Sequence, residues 1–526
     1  MEKIPHFFEW FLMEINIANL IFSGKNIPIF VKTTELMENI SPIHLQEVIF
    51  SSSDRAQSKV ISKLFEKKLI RRIAPRIYSG NFNDPPETII RRNIFNILGN
   101  LYPGAILSHR SAIEFQPTAT GNIFLTYTYT KKIQLPGLTI HFLEGTGPIK
   151  GDIQFVGELY YSQLERALLE NLRPTRKPGP DSKTLTLPEI ENKLEHVLNI
   201  HGETGLNELR DKARSIAKEL ELNSEFEKLN KLIGAMLNTR SIKILSSPLA
   251  IARVLGSPYD PERIELFEKL FVQLKQEEFA NRPERNNKNP EFKNFAFFEA
   301  YFSNYIEGTI FEIEDARKII ETGTPMPTRD EDSHDILGTY RLVSNQKEMK
   351  TLPDNADELL SVLQYRHKIL LEARPSKNPG EFKDKNNRAG QTHFVDHKLV
   401  KGTLIKGFDF YQGLLHPFAR ATFMMFMISE VHPFSDGNGR ISRIMMNAEF
   451  VTRNQTRIII PAVFREDYLL TLRKLSRDKQ PESYIKMLDK AHRFSETIVG
   501  SMNFMQDLLE KSNAFKEPTD AKLKII

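Results

Sequence analysis

Residues 432–443 read His-Pro-Phe-Ser-Asp-Gly-Asn-Gly-Arg-Ile-Ser-Arg, and this stretch with its flanks constrains the chain more than any other feature. Upstream, residues 421–431 (ATFMMFMISEV) are apolar around the whole helical circumference, the pattern of a buried helix. Pro433, directly after His432, stops that helix. Residues 441–451 open a second helix, so the DGNGR segment is a loop feeding a helix N-terminus. Gly437 and Gly439 permit the backbone angles that turn successive N–H groups toward one point. They also leave room for a phosphate to approach.

The side chains around that loop suit phosphate chemistry. Asp436 offers a carboxylate to Mg²⁺, a hard cation that prefers carboxylate, water and phosphate oxygens. Arg440 and Arg443, three apart at the helix start, reach successive phosphates through charge-assisted hydrogen bonds. His432 is the group there that accepts a proton near neutral pH, hence a general base for an incoming hydroxyl. His416-Pro417-Phe418 repeats the first three letters with no glycine-rich loop behind it, and reads as the start of the buried helix.

Eight positions (His432, Pro433, Phe434, Asp436, Gly437, Asn438, Gly439 and Arg440) fit in order the signature of the Fic family, and Arg443 completes its longer form. The resemblance spans roughly residues 290–490. It implies a protein adenylyltransferase that moves AMP from ATP, with Mg²⁺, to a Ser, Thr or Tyr hydroxyl of a target protein, self-modification included. It further implies that His432 is catalytic and that Asp436 holds the metal. Phe434, Gly437, Asn438, Gly439, Arg440 and Arg443 then form the nucleotide site, with Asn438 orienting the α-phosphate and Phe434 anchoring the loop in the core.

Three further stretches resemble family features. Residues 303–308, Ser-Asn-Tyr-Ile-Glu-Gly, fit the inhibitory pattern of members with an N-terminal inhibitory helix, here near 295–308. Four-residue spacing puts Ser303 and Glu307 on one helix face, and Gly308 ends or loosens the helix. Glu307 is then expected to pair with Arg443. Residues 390–404 look like the family's β-hairpin flap, with its turn at 396–398, which docks a target segment by strand addition. Gln391, Thr392, His393 and Phe394 are its docking residues. Pro379-Gly380-Glu381-Phe382 resembles the Pro-Gly-x-aromatic stretch, followed by Lys383 where arginine is expected. Two other chemistries stay open: a Fic-fold enzyme for AMP removal or for UMP, phosphate or phosphocholine transfer, and a transcription regulator that senses nucleotide. The intact His432 disfavours the second.

Charge singles out one more segment. Between Arg55 and Arg76 stand eight basic residues and one acidic, a local +7 against +5 for the whole chain. Arg55, Lys59, Lys63 and Lys67 recur every four residues as one helix stripe, beside an apolar stripe of Ala56, Val60 and Leu64 that Ile61 and Phe65 widen toward a core. RRIAPRIYSG then reads as strand–turn–strand. A basic helix followed by a basic hairpin suits phosphate-backbone binding, with Arg71 and Arg72 added to the stripe. The stretch KLFEKKLIRRIAPRIYSG, with ILSHRSAIEFQPTATGNIFLTYT after it, resembles the winged-helix N-terminus of AbiEi-type antitoxins. That resemblance implies DNA binding at the protein's own promoter.

At 526 residues the chain is past the size at which one core keeps growing. Polar stretches rich in Pro or Gly divide it into an apolar extension (1–29), a winged-helix-like domain (30–85), a small α/β region (86–152), a helical region (153–285), the Fic domain (286–490) and a C-terminal helix with a ragged tail (491–526). The fold class is mainly α: an all-helical core with a β-hairpin flap, preceded by the winged-helix and α/β regions. The absence of cysteine excludes disulfides, zinc–thiolate sites and thiol nucleophiles, and fits a cytoplasmic protein. Glu9 and Glu14 interrupt the apolar N-terminal run, which argues against a signal peptide or a membrane span. Homo-oligomerisation is left open.

Overall fold

The computed structural model describes residues 43–176 and 179–526. The extension expected at 1–29, and residues 30–42 of the winged-helix-like domain, lie outside the described residues. The chain divides into two compact units, Met1–Leu185 and Thr186–Ile526. The described residues are mainly helical, with small sheets.

In the first unit, β1 (Ile49–Phe50), α1 (Arg55–Glu66), β2 (Arg71–Ala74) and β3 (Ile77–Ser79) form a helix beside a three-stranded antiparallel sheet of order β1-β3-β2. Asp54 caps α1 by accepting from the Gln57 N–H at 2.8 Å. The expected apolar stripe of α1 is only partly inward. Ile61 is buried and Leu64 packs beside it, while Val60 and Phe65 stay 43% and 47% exposed. One face of a twelve-residue helix meets the small sheet, and Phe65 reaches it edge-on through Tyr78.

The rest of this unit is a six-stranded mixed sheet with helices against it. It opens with two short helices, α2 (Pro86–Arg92) and α3 (Ile94–Leu101), broken at Asn93, whose side chain bonds Ile89 O and Glu47. After them come β4 (Ile106–Leu107), α4 (His109–Glu114), β5 (Asn122–Tyr127), β6 (Lys131–Leu135), β7 (Leu138–Glu144), β8 (Ile153–Gln154), β9 (Tyr160–Tyr161) and α5 (Leu164–Asn171). The strand order is β6-β7-β5-β4-β9-β8. Strands β8 and β9 depart from the helical reading of residues 153–285. They add to the β4 edge, where β9 pairs in parallel.

The second unit opens with α6 (Leu187–Glu219), α7 (Asn223–Met236), α8 (Pro248–Val254) and α9 (Pro261–Gln276). Then follow α10 (Asn289–Ile306), α11 (Ile313–Thr322), α12 (Asp330–Val343), α13 (Gln346–Met349) and α14 (Ala356–Leu370). A hairpin of β10 (Arg388–Ala389) and β11 (Thr392–His393) precedes α15 (Val400–Gln412), α16 (Pro417–Val431) and α17 (Asn438–Thr452). The chain closes with α18 (Arg465–Asp478), α19 (Glu482–Ser495) and α20 (Met502–Lys511). Helix α16 is buried on nearly every side, as its apolar circumference requires, and α17 is buried as fully although it carries Arg440, Arg443, Asn447 and Glu449. His416 caps α16 from its ring nitrogen, the structural part read for the decoy His-Pro-Phe.

Helix α10 is a second spine. Its Phe292, Phe295, Phe298 and Phe302 are buried, and Glu299 on it meets the fully buried Arg457 at 2.8 Å. The segment after α20 is not ragged where it meets α10. Ala514 is buried, Phe515 stacks on Phe302 with ring centroids 5.1 Å apart, and Glu517 accepts from the Tyr305 hydroxyl. Apolar area removed from water holds those residues down.

The hairpin differs from the reading in register. Its turn is at Gly390–Gln391, since Arg388 pairs with His393 and Ala389 with Thr392. Gly390 supplies the left-handed angle there, φ 59°. Asp396, taken as a turn residue, instead caps a short 3₁₀ turn by accepting from Lys398 N–H at 2.9 Å, and the chain is helical from Val400.

Candidate active site

Helix α16 delivers His432 to the site in a left-handed conformation, φ 52°, which turns the chain sharply into Pro433 and the glycine loop. Its Nδ1 faces the Ser429 carbonyl at 3.2 Å. A carbonyl only accepts, so Nδ1 carries the proton and Nε2 keeps a lone pair. The Phe394 ring lies flat on the imidazole, with centroids 3.7 Å apart and planes 4° from parallel. Burial pushes the His432 pKa down to about 4, and the Lys383 charge adds to this. The ring is therefore neutral, and able to accept a proton, through the whole neutral range.

The loop main chain is braced from several sides. Phe434 is buried, stacked on His367 with centroids 3.8 Å apart. The Asn438 amide closes the turn on itself, accepting from Phe434 N–H at 2.8 Å and donating to Phe434 O at 2.9 Å. That side chain is a loop brace here, occupied at both ends. Lys383 N–H donates to Pro433 O at 2.9 Å, and its ammonium donates to Asn387 Oδ1 at 2.8 Å. Asn387 in turn donates to Phe434 O at 2.9 Å. Burial pushes the Lys383 pKa down to about 8.

Gly437, at φ 73°, leads into α17, whose first N–H groups have no preceding helical turn to accept them. The helix dipole adds positive potential at that point. Asp436 accepts from Gly437 N–H at 2.7 Å and lies 3.3 Å from the Lys377 ammonium. Burial pushes its carboxyl up, but the Gly437 N–H, Arg440 and Lys377 together hold it below the usual range. Arg440 is buried and paired with Asp335 of α12 at 2.7 Å.

Arg443 is where α10 enters the site. Its Nη2 donates to Glu307 Oε1 at 2.7 Å and to Ser303 O at 2.8 Å, and its Nε donates to Ser303 Oγ at 3.0 Å. Ser303 and Glu307 thus meet the same guanidinium from one helix face. Burial pushes the Glu307 carboxyl up, and Arg443 beside it overcomes this and holds it below the usual range. Gly308, at φ 95°, ends the helix immediately after. Its C-terminal turn is further held by Arg465, which donates to Ile306 O at 3.0 Å.

The flap closes the other side. Thr392 Oγ1 accepts from Arg477 at 2.9 Å, and His393 O accepts from Arg263 at 2.7 Å. Arg263 also pairs with Glu430, two residues before His432, at 2.9 Å. His393 and Gln391 are exposed on the hairpin. Between flap, α10 and α18 lies a cavity of about 520 Å³, lined among others by Glu307, Gln391, Phe394, His432, Gly439 and Arg443. The basic stripe of the first unit is not part of this constellation. Arg55, Lys59, Lys63, Lys67 and Arg72 are exposed, while Arg71 turns inward to the carbonyls of Asn81 and Asp84.

Residues 359–449 match the model of the Fic/DOC family, and the chain carries a Fic domain. Among curated proteins it is 25% identical over 211 residues to the protein adenylyltransferase Fic of Drosophila willistoni, covering 39% of this chain and 42% of that one. It is 27% identical over 187 residues to the protein of the same name from Nematostella vectensis, covering 33% and 42%. The chain thus spans about two fifths of the length of these relatives. Among solved structures, Fic-1 from C. elegans aligns at 16% identity with a TM-score of 0.34, covering 62% of this chain and 94% of that one. IbpAFic2 covalently tethered to Cdc42 aligns at 12% identity with a TM-score of 0.26, covering 60% and 99%. Among the described residues no helix is long and apolar enough to cross a membrane.

His367, Asn387, Arg263 and Arg477 were not legible as site residues, since each acts through a main-chain or long-range contact that no short motif encodes. Lys383 was marked only by its departure from the expected arginine. The Phe394–His432 stack yields a prediction. Replacing Phe394 by Ala exposes the imidazole, so the His432 pKa measured by NMR should rise from about 4 toward the ordinary ~6.5. The folded ring binds its proton less readily than the unfolded chain does, so the wild type loses stability here as pH falls from ~6.5 toward 4. An unchanged pKa in the variant contradicts the role given to the stack.

Proposed function

We propose that this Fic domain transfers AMP from ATP to a hydroxyl of a target protein, and that Glu307 holds the reaction in check. The observation that carries this reading is the Arg443 fork. The arginine best placed for a terminal phosphate at the α17 N-terminus is already filled by Ser303 and Glu307. A carboxylate in that fork excludes the γ-phosphate from it, so ATP binds with its phosphates misaligned for in-line attack.

In the uninhibited arrangement His432 Nε2 takes the proton of the target hydroxyl as its oxygen attacks the α-phosphorus. The new P–O bond forms as the bond to the β-phosphate oxygen breaks, and pyrophosphate leaves. Charge on the phosphates is met by the α17 N-terminus and by Arg440, which Asp335 keeps oriented. Asp436 is the carboxylate that would hold Mg²⁺, a hard cation that would offset phosphate charge when bound. The hairpin offers its edge to an extended target segment near His432, with self-modification as one case.

Label transfer tests the reading. With α-labelled ATP, Glu307→Gly should transfer at least ~10-fold faster than wild type. The Glu307→Gly, His432→Ala double variant should fall by at least ~10²-fold, the usual scale for a positioned base. Transfer from γ-labelled ATP instead would mean phosphate transfer, and binding without transfer would mean nucleotide sensing. Both would overturn AMP transfer, and equal rates in wild type and Glu307→Gly would overturn the inhibitory role.

A second activity is supported by the exposed Arg55, Lys59 and Lys63 on one face of α1 and by the exposed Lys67 at its C-terminal cap. We propose that this face binds the phosphate backbone of DNA, the protein's own promoter being the site to try first. Mobility shifts with the full chain should weaken steeply between low and physiological salt. They should weaken further when Lys59, Lys63 and Lys67 become Glu. A chain that gives no shift at low salt does not bind DNA through this face.

A further inference from the structure

We infer that His367, on α14, is a positioning residue that holds the peptide between Asp436 and Gly437 in one orientation through a single ring tautomer. This rests on the AMP-transfer reading for its effect on rate, but its geometry stands alone. His367 is fully buried, and both ring nitrogens are committed to main-chain groups of different loops. Gly380 N–H donates to Nδ1 at 2.9 Å, so Nδ1 carries no proton. Nε2 lies 3.1 Å from Asp436 O, which only accepts, so Nε2 carries the hydrogen and donates it. The ring is parallel to Phe434 within 2°, which fixes the plane in which both bonds lie.

The peptide held this way is the one most free to turn. Gly437 adopts φ 73°, and a glycine tolerates the two peptide orientations that distinguish common tight turns. In the observed orientation the Asp436 carbonyl points to His367, and the Gly437 N–H points to Asp436's own carboxylate at 2.7 Å. A flip would break both bonds, swing the Asp436 carboxylate, and reorient the first N–H groups of α17 that the α-phosphate needs. Lys383, Asn387 and Asn438 brace the preceding main chain at Pro433 and Phe434, but among the described hydrogen bonds His367 is the one that holds Asp436 O. Misplacing a reacting group by about 1 Å can cost ~10²-fold in rate.

Two substitutions separate the two nitrogens. In His367→Gln an amide N–H reaches the Nε2 position, and in His367→Asn a carbonyl oxygen reaches the Nδ1 position. Measured in the Glu307→Gly background, the Gln variant should keep most of kcat. The Asn variant should lose ~10- to 10²-fold in kcat with a smaller change in KM for ATP. Melting temperatures of the two should agree. Nitrogen-15 spectra of histidine-labelled wild type should show His367 protonated at Nε2 alone, which tests the tautomer whether or not a variant folds. Equal kcat in the two variants, or a proton on Nδ1, overturns the inference. If Glu307→Gly itself transfers no AMP, the reaction reading fails instead. The positioning role is then decided by calorimetry with ATP, where the Asn variant should bind at least several-fold more weakly than the Gln variant, and equal affinities overturn it.

Discussion

The site depends on one constraint: a fully buried helix, α16, must end in a left-handed residue, His432, and pass at once into a second buried helix. Pro433, Phe434, Gly437 and Asn438 of that passage are buried, so their backbone groups are satisfied from neighbouring elements. His367 from α14, Lys383 and Asn387 from the loop before the hairpin, and Asn438 from the next helix each take a share. The same packing presses Phe394 onto His432 and keeps the imidazole neutral. A neutral imidazole and a loop braced by hydrogen bonds are two results of one burial.

Regulation, on this account, uses the other buried arginine of the motif. Arg443 is surrounded by Ser303, Glu307 and Tyr468, so two of its partners come from α10 rather than from the helix that bears it. Helix α10 is itself anchored far from the site, through Glu299 with Arg457 and through Phe515 and Glu517 of the C-terminal segment. Glu307 at its end is turned toward the cavity, its side chain 37% exposed. A rigid helix with a partly exposed carboxylate at its tip suits a contact that blocks the guanidinium without being part of the core.

Much of this was legible in the chain. The apolar run before His432, the glycine spacing after it and the three-residue step from Arg440 to Arg443 encode local geometry, which sequence states directly. The i,i+4 spacing of Ser303 and Glu307 was legible for the same reason, and the structure brings both to Arg443. The hairpin turn was misplaced because Asp396–Lys398 has turn chemistry, yet Asp396 uses it to cap a 3₁₀ turn, while Gly390 makes the reversal. Val60 and Phe65 matched an inward stripe, but the sheet beside α1 is too small to cover that face. His367 lay beyond reach altogether, because a lone histidine on a helix does not reveal that its two nitrogens will meet two distant main chains.

The central claim is that Glu307 and the γ-phosphate compete for Arg443. Crystal structures of wild type and Glu307→Gly, each with a non-hydrolysable ATP analogue, measure this directly. In wild type the Glu307–Arg443 bond should remain near its 2.7 Å, with the γ-phosphate away from the guanidinium. In the variant the γ-phosphate should move onto Arg443 and bring the α-phosphorus into line with His432. A wild-type complex in which Arg443 binds the γ-phosphate while Glu307 stays in place would contradict the account.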